Sequence, residues 1–106
     1  STQEVTTSFL CADLHMDLLT RRVERAGSRI ELQPREFRLL ELLLRNQGQV
    51  VTRTMMLEEV WDYHFDPGTN VIDVHISRLR KKIDEGAETP LLHTVRGAGY
   101  MLSEHA

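Results

Sequence analysis

The chain has 106 residues, enough for one domain with one modest core. Its 41% apolar content is ordinary for a globular domain, and no apolar run approaches the ~20 residues needed to span a bilayer. The lone cysteine, Cys11, excludes an internal disulfide and suits a reducing, cytoplasmic setting, while a net charge of −3 argues against nucleic-acid binding by bulk attraction alone.

Residues 1–8 are polar and Thr-rich and are expected to be the end of a linker, with one domain over 9–106. Segments 9–12, 18–20, 22–25 and 29–32 are candidate strands, with Ala26-Gly27-Ser28 as a hairpin turn. Three or four antiparallel strands fit, and Cys11 reads as a small buried residue in the first.

Pro34 opens a helix, because proline suits the first helical position. Glu36 in the first turn favours the positive end of the helix dipole. Phe37, Leu39, Leu40, Leu42, Leu43 and Leu44 are apolar around more than half the wheel, leaving only Arg38, Glu41 and Arg45 as a polar stripe. This helix is expected to be buried on two sides, at the centre of the core. Asn46-Gln47-Gly48 ends it.

Val50-Val51 is a short strand or extended link, and Thr52 can cap a second helix from residue 53 to 60 or 61. A polar and aromatic loop with strong breakers covers 62–68. A third helix follows over 70–83. Asn70 with Asp73 three residues later resembles a capping box, and Thr69 is a rival cap. Residues 88–90 form a turn, and 92–102 read as a hairpin with a glycine-containing tip beside Arg96.

The third helix is the informative element. At 100° per residue, Ile72, Ile76, Leu79 and Ile83 fall on one side and make a core-facing stripe. The opposite face carries Asn70, Val71, Val74, Ser77, Arg78 and Lys81. Such a face supplies what a DNA major groove requires: cations for phosphates and guanine edges, an amide and a hydroxyl for other edges, and a small apolar group for thymine methyls. Charge is distributed accordingly. Residues 70–83 hold four basic groups and one acidic group, whereas 53–69 and 84–106 each hold one basic and four acidic groups. Screening over ~8 Å lets a local cationic patch act apart from the acidic remainder. Three helices followed by a hairpin describe a winged helix, with Arg96 placed to reach a narrow, electronegative minor groove.

The stretches Leu32-Gln33-Pro34-Arg35-Glu36-Phe37-Arg38-Leu39-Leu40, Gly68-Thr69-Asn70-Val71-Ile72-Asp73-Val74-His75-Ile76-Ser77-Arg78-Leu79-Arg80 and Thr94-Val95-Arg96-Gly97-Ala98-Gly99-Tyr100 resemble the effector domain of OmpR/PhoB-type two-component response regulators. The resemblance covers about residues 9–103. It implies an α+β winged helix-turn-helix: an N-terminal antiparallel sheet of four strands, a three-helix core and a C-terminal β-hairpin wing. It implies transcriptional control through double-stranded DNA, with tandem direct repeats bound by a head-to-tail homodimer. It also implies a receiver domain preceding this chain and a sensor histidine kinase acting on that receiver.

By position, the resemblance makes Arg78 a base-reading residue and Arg96 the wing arginine. Val74, central on the wheel, is expected at a thymine methyl or base edge. Arg53, Trp61, Asn70, His75, Ser77, Arg80, Thr94 and Tyr100 fall at backbone-contacting positions, and the wheel adds Lys81. The loop Asp62-Tyr63-His64-Phe65-Asp66 can touch RNA polymerase in that family. Two departures stand out. Gln33 replaces a better-capping Thr or Ser and is expected to loosen the first helix's start. Asn70 and Ser77 are uncharged where some relatives have arginine, which lowers the expected phosphate affinity.

No His-x-x-x-His or paired-cysteine spacing indicates a metal site, and no nucleophile–base pair or Gly-rich phosphate loop indicates an enzyme or a cofactor. The remaining alternative is a winged helix for protein–protein assembly, which would bury Val71 and Val74 in a partner.

Overall fold

Every second residue of the short stretches 9–11, 14–16 and 23–25 turns inward and builds the first layer. The computed structural model describes residues 7–64 and 67–104. It places β1 (Ser8–Cys11), β2 (Leu14–Asp17), β3 (Arg22–Arg25) and β4 (Ser28–Ile30) side by side in that order, all antiparallel. The inward face carries the cross-strand row Phe9, Met16, Val23, Ile30 and the neighbouring row Cys11, Leu14, Arg25. The outward face carries Leu10, His15, Glu24 and Arg29. Cys11 is 1% exposed, and burial pushes its thiol up from the ordinary value.

Ser8, expected in the linker, already pairs with Asp17. The strand expected at 18–20 is instead a turn, and the pairing strand lies at Leu14–Asp17. The Asp17 carboxylate accepts from the Leu19 and Thr20 amides at 2.9 and 3.3 Å. That local bond satisfies the backbone in a turn, so the Leu18-Leu19 pair does not extend.

The first helix, α1 (Pro34–Arg45), lies beneath this sheet and buries Phe37, Leu39, Leu40, Leu43 and Leu44, as its apolar wheel requires. Gln33 does not leave its start loose. Glu36 accepts the Gln33 amide at 2.8 Å and the Lys82 ammonium at 2.6 Å, although Glu36 is itself 1% exposed. The carboxylate thus fixes the helix start and ties it to residue 82.

The short strand β5 (Val51–Thr52) leads into α2 (Arg53–Trp61), whose first turn is capped by Thr52 Oγ1 accepting from the Met55 amide at 3.1 Å. Arg38 donates to the Glu59 and Val60 carbonyls at 2.6 and 3.0 Å and closes the other end. The third helix is α3 (Val71–Asp84), and the hairpin is β6 (Leu92–Val95) with β7 (Gly99–Leu102). The hairpin gains a third strand, in the order β5-β7-β6.

Ile72, Ile76, Leu79 and Ile83 are each at most 1% exposed. Burying such a side chain stabilises by ~1.5–3 kcal/mol, so this stripe sets the rotation of α3 about its own axis. One cluster joins the sheet, all three helices and the hairpin. Among the described residues no helix is long and apolar enough to cross a membrane.

Candidate nucleic-acid interface

Because the core takes the isoleucine and leucine stripe, α3 turns its other face outward. Asn70, Ser77, Arg78 and Lys81 are exposed, and Val74 is half-buried among them. Val71, expected on this face, packs instead against the core. Asn70 is the cap residue of α3 but makes no side-chain capping bond, so the expected capping box does not form. Its partner Asp73 is engaged elsewhere, accepting from the Tyr100 hydroxyl at 2.6 Å.

That bond is one of several holding the hairpin against α3. Arg80 donates to the Leu92 carbonyl at 3.3 Å and to Thr94 Oγ1 at 2.7 Å. Asp84, at the end of α3, accepts the Leu91 and Leu92 amides at 3.0 and 3.1 Å. The family resemblance implied that Arg80, Thr94 and Tyr100 contact a phosphate backbone. The structure binds all three side chains into the α3–hairpin junction, so their first role is to set where the hairpin sits. The tip is a three-residue loop in which the Ala98 amide donates to the Val95 carbonyl at 3.0 Å and Gly97 takes φ 74°. Arg96 is exposed at this tip.

On the opposite flank lies Trp61. It is 5% exposed and belongs to the core, so it supports the surface rather than forming it. His75 meets its ring in a T-shaped contact, 5.0 Å between centroids. His75 Nδ1 lies 2.8 Å from the Val71 carbonyl and donates to it. A neutral His75 then presents Nε2 as an acceptor, and only its protonated form offers a donor to an anion. Arg53, half-buried at the start of α2, donates to the Thr69 carbonyl and holds the entry to α3.

Sequence reasoning missed Arg35. Its guanidinium lies 5.3 Å from the centre of the Trp61 ring, and it lines one cleft with His75, Arg78 and Lys82. Those residues are 40 or more positions apart from Arg35, so periodicity within one helix carries no trace of the cluster.

In the loop after α2, Asp62 is exposed with φ 56°, Tyr63 packs on the core and His64 is exposed. Phe65 and Asp66 lie outside the described residues. Among the described residues no group of His, Cys, Asp and Glu is placed to hold a metal ion.

Comparison with known proteins bears on this arrangement. Residues 27–102 match the family described as "Transcriptional regulatory protein, C terminal". The chain is 51% identical over 98 residues to the transcriptional regulatory protein CusR of Escherichia coli K12, covering 92% of this chain and 43% of that protein. It therefore spans less than half the length of that curated relative. The fold is similar to the DNA-binding domain of Klebsiella pneumoniae RstA, solved in complex with the RstA box, at a TM-score of 0.83 and 31% identity over 94% of this chain and all (100%) of that one. It is also similar to the DNA-binding domain of Escherichia coli CpxR, at a TM-score of 0.82 and 33% identity, covering 95% of this chain and 100% of the other.

Proposed function

Since this chain belongs to the C-terminal family of transcriptional regulatory proteins, of the OmpR/PhoB type, we propose that it binds double-stranded DNA sequence-specifically and controls transcription as a response-regulator effector domain. One observation carries this reading: α3 buries its aliphatic stripe completely and exposes Asn70, Ser77, Arg78 and Lys81 around a half-buried Val74, with no carboxylate among them. The RstA relative, bound to its box, supports the same use of the fold.

The ridge enters the major groove. Arg78 reads a base edge, Val74 meets a thymine methyl, and Asn70, Ser77 and Lys81 contact flanking phosphates. Arg96 enters the adjacent minor groove. Arg53, His75, Arg80, Thr94 and Tyr100 lie at the margins of this surface and reach phosphate only with atoms their internal bonds leave over.

In the longer protein the DNA-binding domain starts with β1 at Ser8, a receiver domain precedes it, and a sensor histidine kinase phosphorylates the receiver in the cytoplasm. Two copies bind head-to-tail on tandem direct repeats. The loop bearing Asp62, Tyr63 and His64 contacts RNA polymerase.

Selection of bound duplexes from a random pool tests this. The expected result is a motif repeated in one orientation at about one helical turn. Absence of enrichment, with binding to a protein partner that resists salt, would instead establish a protein-assembly module. A DNA reader must lose affinity steeply as salt rises.

A further inference from the structure

Resting on the DNA-binding reading, we propose that the cleft between the start of α1 and α3 is a second phosphate seat, in which Arg35 grips the DNA strand bordering the major groove on the side away from the wing. The cleft is lined by Gln33, Arg35, Glu36, His75, Arg78 and Lys82. Arg35, Arg78 and Lys82 are its cations, all exposed. Its one carboxylate, Glu36, is buried and already accepts from Lys82 and from the Gln33 amide. An approaching anion therefore meets positive charge with the negative group withdrawn.

Arg35 is held ready for this. Its guanidinium carbon lies over the Trp61 ring, 5.3 Å from the ring centre, and His75 on α3 meets that ring in a T-shaped contact. The attraction between cation and ring uses none of the guanidinium N–H donors, which stay available for a phosphate. It also lowers the entropy lost when the side chain is ordered by a ligand.

Geometry names the strand. A major groove ~12 Å wide accepts a helix of ~10–12 Å, so the flanks of the helix face the two backbones. The wing covers the flank of α3 that carries Asp73 and Arg80. Arg35 lies beside the other flank, which carries His75, Arg78 and Lys82.

The test compares wild type with Arg35→Gln, with Arg35→Lys, and with Arg29→Gln as a control for bulk charge at an exposed site on β4. Affinity for a selected and a scrambled duplex is followed from about 50 to 200 mM salt. Loss of one phosphate contact makes the salt slope shallower by about 0.9, so wild type loses about 3–4-fold more affinity than Arg35→Gln over that range. Arg35→Lys and Arg29→Gln are expected to keep the wild-type slope. Ethylating one phosphate opposite the wing should weaken wild type and leave Arg35→Gln unaffected. An unchanged slope and ethylation pattern in Arg35→Gln would overturn the proposal while leaving the DNA-binding reading intact. Equal losses in the Gln and Lys variants would overturn it in favour of packing on Trp61. Failure of wild type to bind any duplex would overturn both.

Discussion

The Tyr100 hydroxyl donates to the Asp73 carboxylate at 2.6 Å and so ties the last strand of the wing to the first turn of α3. Burial, this hydrogen bond and the Asp73 charge push Tyr100 up to about 12 from an ordinary value of 10.0. Between those values the folded protein holds a proton that the unfolded chain releases. The stabilisation is thus complete below pH ~10 and disappears as pH rises toward ~12. In a Tyr63→Phe background, phenolate absorbance should show Tyr100 titrating late, and Asp73→Asn should bring it back toward 10. Identical midpoints with and without Asp73 would refute the latch.

Arg78 is exposed on the ridge of α3. Arg78→Ala should relax preference at one base position, at a cost of ~1–3 kcal/mol for a bidentate guanine contact. Binding to selected and scrambled duplexes reports this directly. An equal loss on both would reduce Arg78 to a backbone contact.

Arg96 sits on a loop whose geometry is closed by the Ala98–Val95 backbone bond. Arg96→Ala should weaken binding most where flanking sequence is A·T-rich, since a narrow minor groove concentrates negative potential. Indifference to flank composition would rule out insertion there.

Arg25 joins three parts of the molecule. Its buried guanidinium donates to Asp13 at 2.5 Å, to Asp84 at 2.9 Å, and to the Ile83 and Thr89 carbonyls at 2.6 and 2.5 Å. Arg25→Met leaves Asp84 buried without its cation and should cost ~3–5 kcal/mol in urea unfolding. Adding Asp84→Asn should recover part of the loss, because the stranded charge is removed. Strict additivity of the two substitutions would show that the pair is uncoupled.

Gly99 and Gly97 should respond differently to alanine. A Cβ on Gly99 would stand 2.2 Å from the Val51 carbonyl oxygen at φ 153°, whereas one on Gly97 meets nothing within 4 Å at φ 74°. Gly97→Ala should cost ~1–2 kcal/mol from its left-handed backbone. Gly99→Ala should cost more, because β5 must also move off β7. Equal melting temperatures for the two variants would contradict the close approach of these strands.

The helices and the wing were legible because their signals are local. The stripe of Ile72, Ile76, Leu79 and Ile83 is a period, Pro34 and Thr52 are start marks, and Gly97 meets the backbone demand of a short loop. The first sheet was legible only in part. Leu18 and Leu19 look like strand residues, but the Asp17 carboxylate bonds to the amides that follow it and makes a turn. Arg80 matched a backbone-contacting position, yet its guanidinium is bonded to the wing, a partner that no local pattern names.

Amphipathic periodicity alone decided which face of the third helix is dry, and with it which residues stand outward, Val71 excepted, because 3.6-residue spacing converts chain order into direction. Tertiary packing decided what those outward residues are free to do. Asp73 met Tyr100, Arg80 met Thr94, and Arg35 met Trp61 across separations of 27, 14 and 26 residues, and at such range the partner is chosen by how whole elements pack rather than by any pattern along the chain.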